Sequence, residues 1–418
     1  MSHRIVRLSA IEILDSRSRP TLEVTVELAD GIVAVAGVPS GASTGKGEAV
    51  ELRDQDPRRF GGAGVTVAAQ AVNGEIADWM CSRDWRSLAE ADQALIELDG
   101  TDDKRRLGAN SIVGVSMALA RAMAHSAGQQ LHDWLRPSDV QSCLPVPHLN
   151  VINGGAHAQN RLDFQEFMIA PLAAPTFGEG LRAGAETYAV LRRLIHDRGM
   201  STGLGDEGGF APDLSKPHPV LDLLVEAITT AGYQTGRQGI AIALDPAANG
   251  FHTGGRYQVA DEQLTSGQMI ELYAELIDRY PIWSIEDGLA EDDWDGWQQL
   301  TDRLGEKIQL VGDDIFVTNP AIITEAINRH VGNAALIKVN QIGTVTETLE
   351  AMRVCRQAGY AQMVSHRSGE TTDTFIADLA VATGCGQLKT GAPARGERIA
   401  KYNRLLTIEH DTSLAYGR

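Results

Sequence analysis

The sequence contains few cysteines and no long run of apolar residues. Its 418 residues include only 4 cysteines, at positions 81, 143, 355 and 385, and no two of them form a Cys-x-x-Cys pair. Scattered cysteines are typical of a reducing compartment, so we expect buried thiols in a cytoplasmic protein. The start of the chain lacks the apolar core of a signal peptide, and no stretch approaches the roughly 18 apolar residues of a membrane span. We therefore expect no membrane partner.

Basic residues are also scarce relative to acidic ones. The chain has 37 Lys and Arg against 55 Asp and Glu, which gives a formal net charge of -18. Such a charge disfavours nucleic acid and anionic membrane surfaces as partners. A small anionic substrate is still compatible, because the charge of one pocket matters more to it than the total.

The chain is long enough for a large domain and a smaller one. Residues 4–38 read as three short strands, and Asp30-Gly31 is a hairpin signal between the last two. Helical patterns follow at 65–80 and 110–128, so the N-terminal part is predicted to be an α+β domain. Three prolines in residues 136–147 interrupt the periodicity. We therefore predict domains over residues 1–138 and 139–418.

Six short apolar runs in the second half each end in a charged or polar residue. The runs are GIAIALD, IWSIED, IQLVGDD, ALIKVN, QMVSHR and GQLKT, with Asp245, Glu286, Asp313, Lys338, His366 and Lys389 at or near their ends. These residues lie 41, 27, 25, 28 and 23 positions apart, which leaves room for a crossover helix and two loops. The spacing predicts consecutive βα units in a barrel, whose C-terminal strand ends converge on one face.

Three successive runs end in carboxylates, at Asp245, Glu286 and Asp313. One acid at a strand end is more often simply solvated, but three in successive units would repel one another unless a cation lies between them. Carboxylate oxygens at rigid positions suit Mg²⁺, which is often bound by a few carboxylates together with the oxygens of a phosphorylated substrate. The acids therefore predict a magnesium site.

The next three runs end at or near basic side chains. Lys338 lies in an otherwise apolar run; it either snorkels to the surface or faces the cationic site with a lowered pKa and serves as a general base. Lys389 repeats the pattern and is expected to pair with a substrate carboxylate. His366, Arg367 and Ser368 combine an imidazole, a guanidinium and a hydroxyl, and the guanidinium suits phosphate.

Three loop segments are further candidates. The sequence GDEGG surrounds Glu207 with glycines, and it is either an acidic turn or a loop that brings a general acid to a ligand. NGGAHA carries His157, and FQEF carries Gln165 and Glu166; both belong to the first barrel strands and are expected to reach the same pocket. The small-residue loop SGASTG, with Ser43, is an ordinary turn or a mobile lid.

Taken in order, these motifs resemble the enolase family. The resemblance rests on SGASTG, LGANSIVGVS, NVINGGAHA, QEFMIAP, TGLGDEGGFAP, SIED, KVNQIGT, SHRSGET and KTGAPAR, and it covers nearly the whole chain. It implies an α/β fold with a modified TIM-type (β/α)8 barrel preceded by a smaller α+β domain. It also implies a cytoplasmic homodimer or higher homo-oligomer that converts 2-phosphoglycerate to phosphoenolpyruvate in glycolysis, with two Mg²⁺ ions in each active site.

The resemblance assigns a role to each candidate. Asp245, Glu286 and Asp313 would hold the tighter Mg²⁺, and Ser43 would help to bind the second. Lys338 would remove the α-proton, and Glu207, supported by Glu166, would protonate the leaving hydroxyl. Lys389 would bind the carboxylate of the substrate, and Arg367 and Ser368 would bind its phosphate. The walls of the substrate pocket would be formed by His157, Gln165 and His366.

Several framing residues depart from the family pattern. Ser18-Arg19 stand where Gly-Asn is usual, a glutamate of the usual pattern is replaced near Asn249-Gly250, and Gly288 replaces a proline. The departures leave open a specialised-metabolism paralogue, for example one that makes carboxyphosphonoenolpyruvate with a phosphonate as second substrate. A non-catalytic scaffold is a third alternative, although the intact Lys338 and Glu207 argue against it.

Overall fold

The N-terminal part of the chain forms an antiparallel sheet with helices on one face. The computed structural model describes residues 2–42 and 45–417. The strands are β1 (His3–Leu14), β2 (Pro20–Leu28), β3 (Val33–Gly37) and β4 (Asp84–Trp85), and their order in the sheet is β3-β2-β1-β4. Leu22, Val24 and Val26 of β2 are fully buried, because alternate side chains of a strand point to the same face.

The N-terminal helices are α1 (Thr66–Ala71), α2 (Ala77–Met80), α3 (Leu88–Asp99), α4 (Ala109–Ser126) and α5 (Leu131–Trp134). The helical pattern predicted over 65–80 is interrupted by a π-helical turn, Val72–Ile76, in which Gly74 has non-helical angles. Helix α4 packs on β2 and β3, and nearly all of its residues are buried. Its N-cap is Gly108 rather than a polar side chain, since Asn110 instead accepts a hydrogen bond from Leu52 N at 3.0 Å.

Eight strands close into a barrel, which confirms the predicted α/β fold with a modified TIM-type barrel. The barrel strands and a small three-stranded sheet beside them are β5 (Val146–Asn153), β6 (Glu166–Pro171), β7 (Ile240–Asp245), β8 (His252–Thr253), β9 (Arg256–Val259), β10 (Glu262–Leu264), β11 (Ile282–Glu286), β12 (Gln309–Gly312), β13 (Ala334–Ile337), β14 (Ala361–Ser365) and β15 (Gln387–Lys389). Around the barrel the order is β11-β12-β13-β14-β15-β5-β6-β7, and β8 to β10 form the small sheet. The first barrel strand, β5, begins within the last two residues of the proline-containing segment 136–147, while the exact domain boundary stays a prediction.

Strand β6 runs against its neighbours β5 and β7. Its first residue, Glu166, therefore pairs with Asp245, the last residue of β7. The start of β6 lies at the barrel end where the parallel strands finish. This reversal explains how residues at the beginning of a strand reach the same face as residues at the ends of the others.

The barrel helices are α6 (Phe177–Asp197), α7 (Pro217–Thr230), α8 (Ser266–Arg279), α9 (Trp294–Leu304), α10 (Pro320–Asn328), α11 (Val339–Ile342), α12 (Val345–Ala358), α13 (Phe375–Thr383) and α14 (Gly396–Asp411). Several begin with a side-chain cap: Thr265 and Gln268 form a capping box at α8, and Asn319 caps α10 ahead of a proline in the first turn. Within residues 2–42 and 45–417, no helix is both long and apolar enough to cross a membrane.

The two domains are joined at the edge of the barrel mouth. Ser40, at the start of the small-residue loop, exchanges two backbone hydrogen bonds of 2.8 and 2.9 Å with Gly369 of the barrel. Arg17 donates to the carbonyl oxygens of Ser40 and Gly41, and to Ser368 Oγ at 3.2 Å. The N-terminal domain thus contributes to the rim of the cavity at the C-terminal strand ends.

Candidate active site

A polar cavity lies at the C-terminal ends of the barrel strands. It encloses about 400 Å³, including the solvent at its mouth. Its lining includes eleven of the residues predicted from the sequence: His157, Gln165, Glu166, Glu207, Asp245, Asp313, Lys338, His366, Arg367, Ser368 and Lys389. Glu286 joins this group through Lys389, and Ser43 lies outside the described residues.

Lys389 is surrounded by carboxylates at the floor of the cavity. Its Nζ lies 2.8 Å from Asp245 Oδ2, 2.8 Å from Glu286 Oε1 and 3.3 Å from Glu166 Oε1. Burial opposes the charge of this lysine, but the three carboxylates outweigh burial and raise its pKa well above its usual range. The ammonium of Lys389 therefore balances the charge of two of the predicted metal ligands.

The donor atoms at this floor suit Mg²⁺. Among the described residues, Glu286 Oε2 and Glu166 Oε2 are buried oxygens without a hydrogen-bond partner, and a hard cation satisfies such atoms. Burial and the adjacent Asp245 charge raise the pKa of Glu286 well above the usual range, which marks a site with excess negative charge. The residues present therefore fit a magnesium ion.

One compact acidic cluster of the described residues differs from the predicted ligand set. Asp287, Asp313 and Asp314 can place carboxylate oxygens within 4.8 Å of one another. Asp287 accepts hydrogen bonds from the backbone N–H groups of Asp313 and Asp314, at 2.8 and 2.9 Å, so it fixes the turn that follows β12. Asn249, a departure from the family pattern, donates to Asp314 at 2.9 Å.

Lys338 is paired with Asp313. Its Nζ lies 2.5 Å from Asp313 Oδ2, directly after β13. Burial lowers the pKa of Lys338, but the carboxylate of Asp313 outweighs burial and the net shift is upward. The lowered pKa of Lys338 that the sequence predicted is therefore wrong for this arrangement. Lys338 would lose its proton readily only if another cation neutralised Asp313.

Glu166 and Glu207 approach each other beside His157. His157 Nδ1 lies 3.5 Å from Glu166 Oε1 and 3.7 Å from Glu207 Oε1. Burial and the charge of Glu207 raise the pKa of Glu166, whereas His366 and His157 lower the pKa of Glu207 despite its burial. The two shifts run in opposite directions, so Glu166 binds a proton more readily than Glu207 does.

The loop that carries Glu207 needs its glycines. A β-carbon at Gly205 or at Gly209 would come within 2.7 Å of Asn153 Oδ1. The loop can therefore pack closely on the end of β5, which places Glu207 inside the cavity at only 2% exposure. Asn150 of β5 donates to Glu207 Oε2 at 3.0 Å.

Arg367, the predicted phosphate ligand, is held by an internal carboxylate. Its two terminal nitrogens lie 2.9 and 3.1 Å from the two carboxylate oxygens of Glu48, and Asn340 Oδ1 accepts from the same guanidinium at 3.0 Å. Ser368 lies beside it on the cavity wall. The site therefore contains a buried, bidentate anion position of the kind that phosphate also fits.

Sequence reasoning missed several residues that shape this site. Glu48, Asn150 and Arg398 contact Arg367, Glu207 and His366, respectively, but none of the three ends a barrel strand. Asn150 could have been noticed as a polar residue within an apolar strand. The other two contact the site across domains or helices, so their spacing in the sequence carries no signal.

Family models and relatives identify the chain independently of this geometry. The model of the enolase N-terminal domain matches residues 5–135, and that of the enolase C-terminal TIM barrel domain matches residues 141–416. A protein named enolase from Rubrobacter xylanophilus is 55% identical over 97% of this chain and 94% of its own length.

Two further relatives agree with these matches. A protein named enolase from Acidothermus cellulolyticus is 56% identical over 97% of this chain and 94% of its own length. One named enolase 1 from Methylococcus capsulatus is 54% identical over 100% of both chains. These names give no support to the specialised-metabolism alternative. The chain belongs to the enolase family.

Proposed function

We propose that this protein is a Mg²⁺-dependent phosphopyruvate hydratase, which removes water from 2-phosphoglycerate to form phosphoenolpyruvate. The observation that carries the proposal is the meeting, in one cavity, of a lysine, two carboxylates whose pKa values shift in opposite directions, and a buried arginine. These groups are a base, an acid and an anion ligand, and an elimination from a phosphorylated hydroxy acid requires all three.

Binding comes first. The substrate phosphate occupies Arg367 and Ser368, and its carboxylate faces Lys389, while His157, Gln165 and His366 line the pocket. Asp245, Glu286 and Asp313 would hold a magnesium ion, and Ser43 would help to hold a second. When bound, Mg²⁺ would supply positive charge that offsets the second negative charge of the substrate carboxylate after proton removal.

Proton transfer and elimination are divided between two groups. Lys338 takes the C2 proton in its neutral form, which it would adopt once a bound cation neutralised Asp313, and the electron pair of the C2–H bond moves into the carboxylate. The pair then forms the C2–C3 double bond as the C3–O bond breaks, and Glu207 delivers a proton to the departing hydroxyl. Glu166, whose pKa is raised by burial and by the charge of Glu207, is the group assigned to supply Glu207 with a proton.

The direct test mixes the protein with Mg²⁺ and 2-phosphoglycerate and follows the ultraviolet absorbance of phosphoenolpyruvate. We expect turnover that stops when the metal is chelated and resumes when Mg²⁺ is restored. Lys307→Ala, which removes an exposed lysine outside the cavity, is the matched control for Lys338→Ala. Mg²⁺-dependent binding of 2-phosphoglycerate without product would contradict the proposal and would point to a second substrate.

We further propose that the protein is a homodimer or a higher homo-oligomer in the cytoplasm. Exposed apolar side chains on the N-terminal sheet support an interface, among them Ile11 at 57% and Val33 at 53% exposure. The buried thiols of Cys355 and Cys385 support a reducing compartment. Light scattering after gel filtration tests the first statement, since a monomer at micromolar concentration would contradict it.

A further inference from the structure

One arginine outside the cavity contacts the backbone of the phosphate ligands and the ring of a pocket histidine. Arg398 is in the first turn of α14 and is completely buried. Its Nη1 donates to Arg367 O at 2.7 Å and its Nη2 to Ser368 O at 2.7 Å. Nη1 also lies 2.5 Å from His366 Nδ1.

The contact with His366 determines where the imidazole carries its proton. A guanidinium has donors and no acceptor, so His366 Nδ1 must accept from Arg398. A neutral ring that accepts at Nδ1 carries its single hydrogen on Nε2. A second proton on Nδ1 would face the guanidinium directly. Burial, assisted by the charge of Arg398, also lowers the pKa of His366 to about 4, so the ring is neutral near pH 7.

Among the described residues, the hydrogen on Nε2 faces the carboxylate of Glu207. His366 Nε2 lies 3.2 Å from Glu207 Oε2, close enough for a hydrogen bond although none is fully formed. Asn150 donates to the same oxygen at 3.0 Å. Because Asn150 is bonded to Oε2 and the Nε2 hydrogen of His366 faces the same oxygen, any proton on Glu207 resides on Oε1, the oxygen nearer to His157. The opposite tautomer would instead turn a lone pair toward Oε2.

We propose that Arg398 is a positioning residue, which fixes His366 in the tautomer that carries its hydrogen on Nε2 and directs that hydrogen at Glu207. The tautomer follows from the contacts alone. Its consequence, that Glu207 presents its acidic proton on Oε1, rests on the proposed hydratase function. Failure of one part is therefore distinguishable from failure of the other.

The test is NMR spectroscopy of the full-length protein labelled with ¹⁵N in histidine. Long-range ¹H–¹⁵N correlations distinguish a protonated ring nitrogen from an unprotonated one, and His366→Gln assigns the resonances. Near neutral pH we expect His366 with a bare Nδ1 and a protonated Nε2. A proton on Nδ1, or on both nitrogens, would overturn the proposal without any further variant.

Two substitutions test the part played by Arg398. Arg398→Met removes the donors, and we expect a mixture of His366 tautomers together with a fall in kcat of about 100-fold. Arg398→Lys keeps a side chain that can donate hydrogen bonds but cannot accept them, so the wild-type tautomer of His366 should persist. Arg404→Lys, on the same helix but bonded to Asp378, is the control that leaves the His366 signals unchanged.

The outcomes separate cleanly. An unchanged His366 tautomer in folded Arg398→Met would overturn the proposal, and a variant that does not fold leaves the decision to the wild-type spectrum. Absence of hydratase activity together with the expected wild-type tautomer would contradict the proposed function but not the role of Arg398 in fixing the tautomer.

Discussion

Glu48 binds Arg367 with both carboxylate oxygens, at 2.9 and 3.1 Å from its two terminal nitrogens. Both side chains are nearly buried, with 7% and 3% of their surface exposed. Glu48 follows the small-residue loop of the N-terminal domain, whereas Arg367 follows β14 of the barrel. The pair therefore joins the two domains at the position assigned to the substrate phosphate, and an incoming phosphate must compete with Glu48 or share Arg367 with it.

Glu48→Gln should make the protein less stable but more responsive to phosphate. Loss of the carboxylate leaves the buried Arg367 without its counter-charge, which typically costs about 3–5 kcal/mol. An added anion can replace the lost charge. We therefore expect a lower melting temperature without ligand and a larger rise on adding inorganic phosphate than in the wild type.

Glu347→Gln is the matched control for this experiment, since it breaks the ion pair of the partly buried Glu347 with the buried Lys104, outside the cavity. It should lower the melting temperature without enlarging the response to phosphate. An equal phosphate response in Glu48→Gln and the wild type would show that phosphate does not compete with Glu48.

Magnesium should stabilise the folded protein through Asp245. A ligand at about 100 times its dissociation constant stabilises the folded state by about 2.7 kcal/mol. Asp245→Asn removes one carboxylate from the group around Lys389, so we expect a much smaller rise in melting temperature with Mg²⁺. Asp295→Asn, which removes an acid at 92% side-chain exposure, should respond like the wild type. An undiminished response in Asp245→Asn would exclude this acid as a ligand.

Asp92 should make the protein less stable as the pH rises. This acid is buried against Thr346, and burial raises its pKa from 3.8 to about 6. The folded state therefore binds more protons than the unfolded state between these values, and stability falls as the pH rises through this window. The free energy of unfolding of Asp92→Asn, relative to that of the wild type, should therefore be about 2 kcal/mol higher at about pH 7.5 than at about pH 4.

Urea unfolding of the two proteins at both pH values measures this difference. Asp102→Asn, which changes an exposed acid on the following loop, should show no such gain. A gain for Asp92→Asn that is equal at the two pH values would contradict a raised pKa.

Ser18 carries backbone strain that glycine would relieve. Its φ is 60°, in the left-handed region that side chains other than glycine adopt at a cost of about 1–3 kcal/mol. Part of this gain is offset by the greater freedom of glycine in the unfolded chain. We expect Ser18→Gly to raise the free energy of unfolding by about 1 kcal/mol, while Ser18→Ala, which keeps a β-carbon, shows no gain. Equal stability of the two variants would argue against strain at this turn.

The sequence predicted the barrel because its signal is local. An apolar run that ends in a charged residue is a property of each strand, and the strands end at or next to Asp245, Glu286, Asp313, Lys338 and Lys389. The reversed direction of β6 could not be read in this way, because a buried strand has the same composition in either direction. The π-helical turn in the first helical pattern was also missed, since it depends on the backbone of Gly74.

The members of the site were easier to predict than their pairings. Lys389 was expected to face a substrate carboxylate, yet here it contacts the acids of β7 and β11. Lys338 was expected to have a lowered pKa, yet Asp313 raises it. Glu48 and Arg398 were missed altogether. These facts depend on distances across the barrel and between domains, which spacing along the chain does not encode.

The most direct test of the account is the exchange of the C2 proton of 2-phosphoglycerate in D₂O, followed by NMR together with product formation. With Mg²⁺ present, the wild type should show both exchange and phosphoenolpyruvate. Glu207→Gln should lose product but keep exchange, because the base is intact. Lys338→Ala should lose both, by about 10³-fold or more. Exchange at the wild-type rate in Lys338→Ala would contradict the assignment of Lys338 as the base, and with it the central claim.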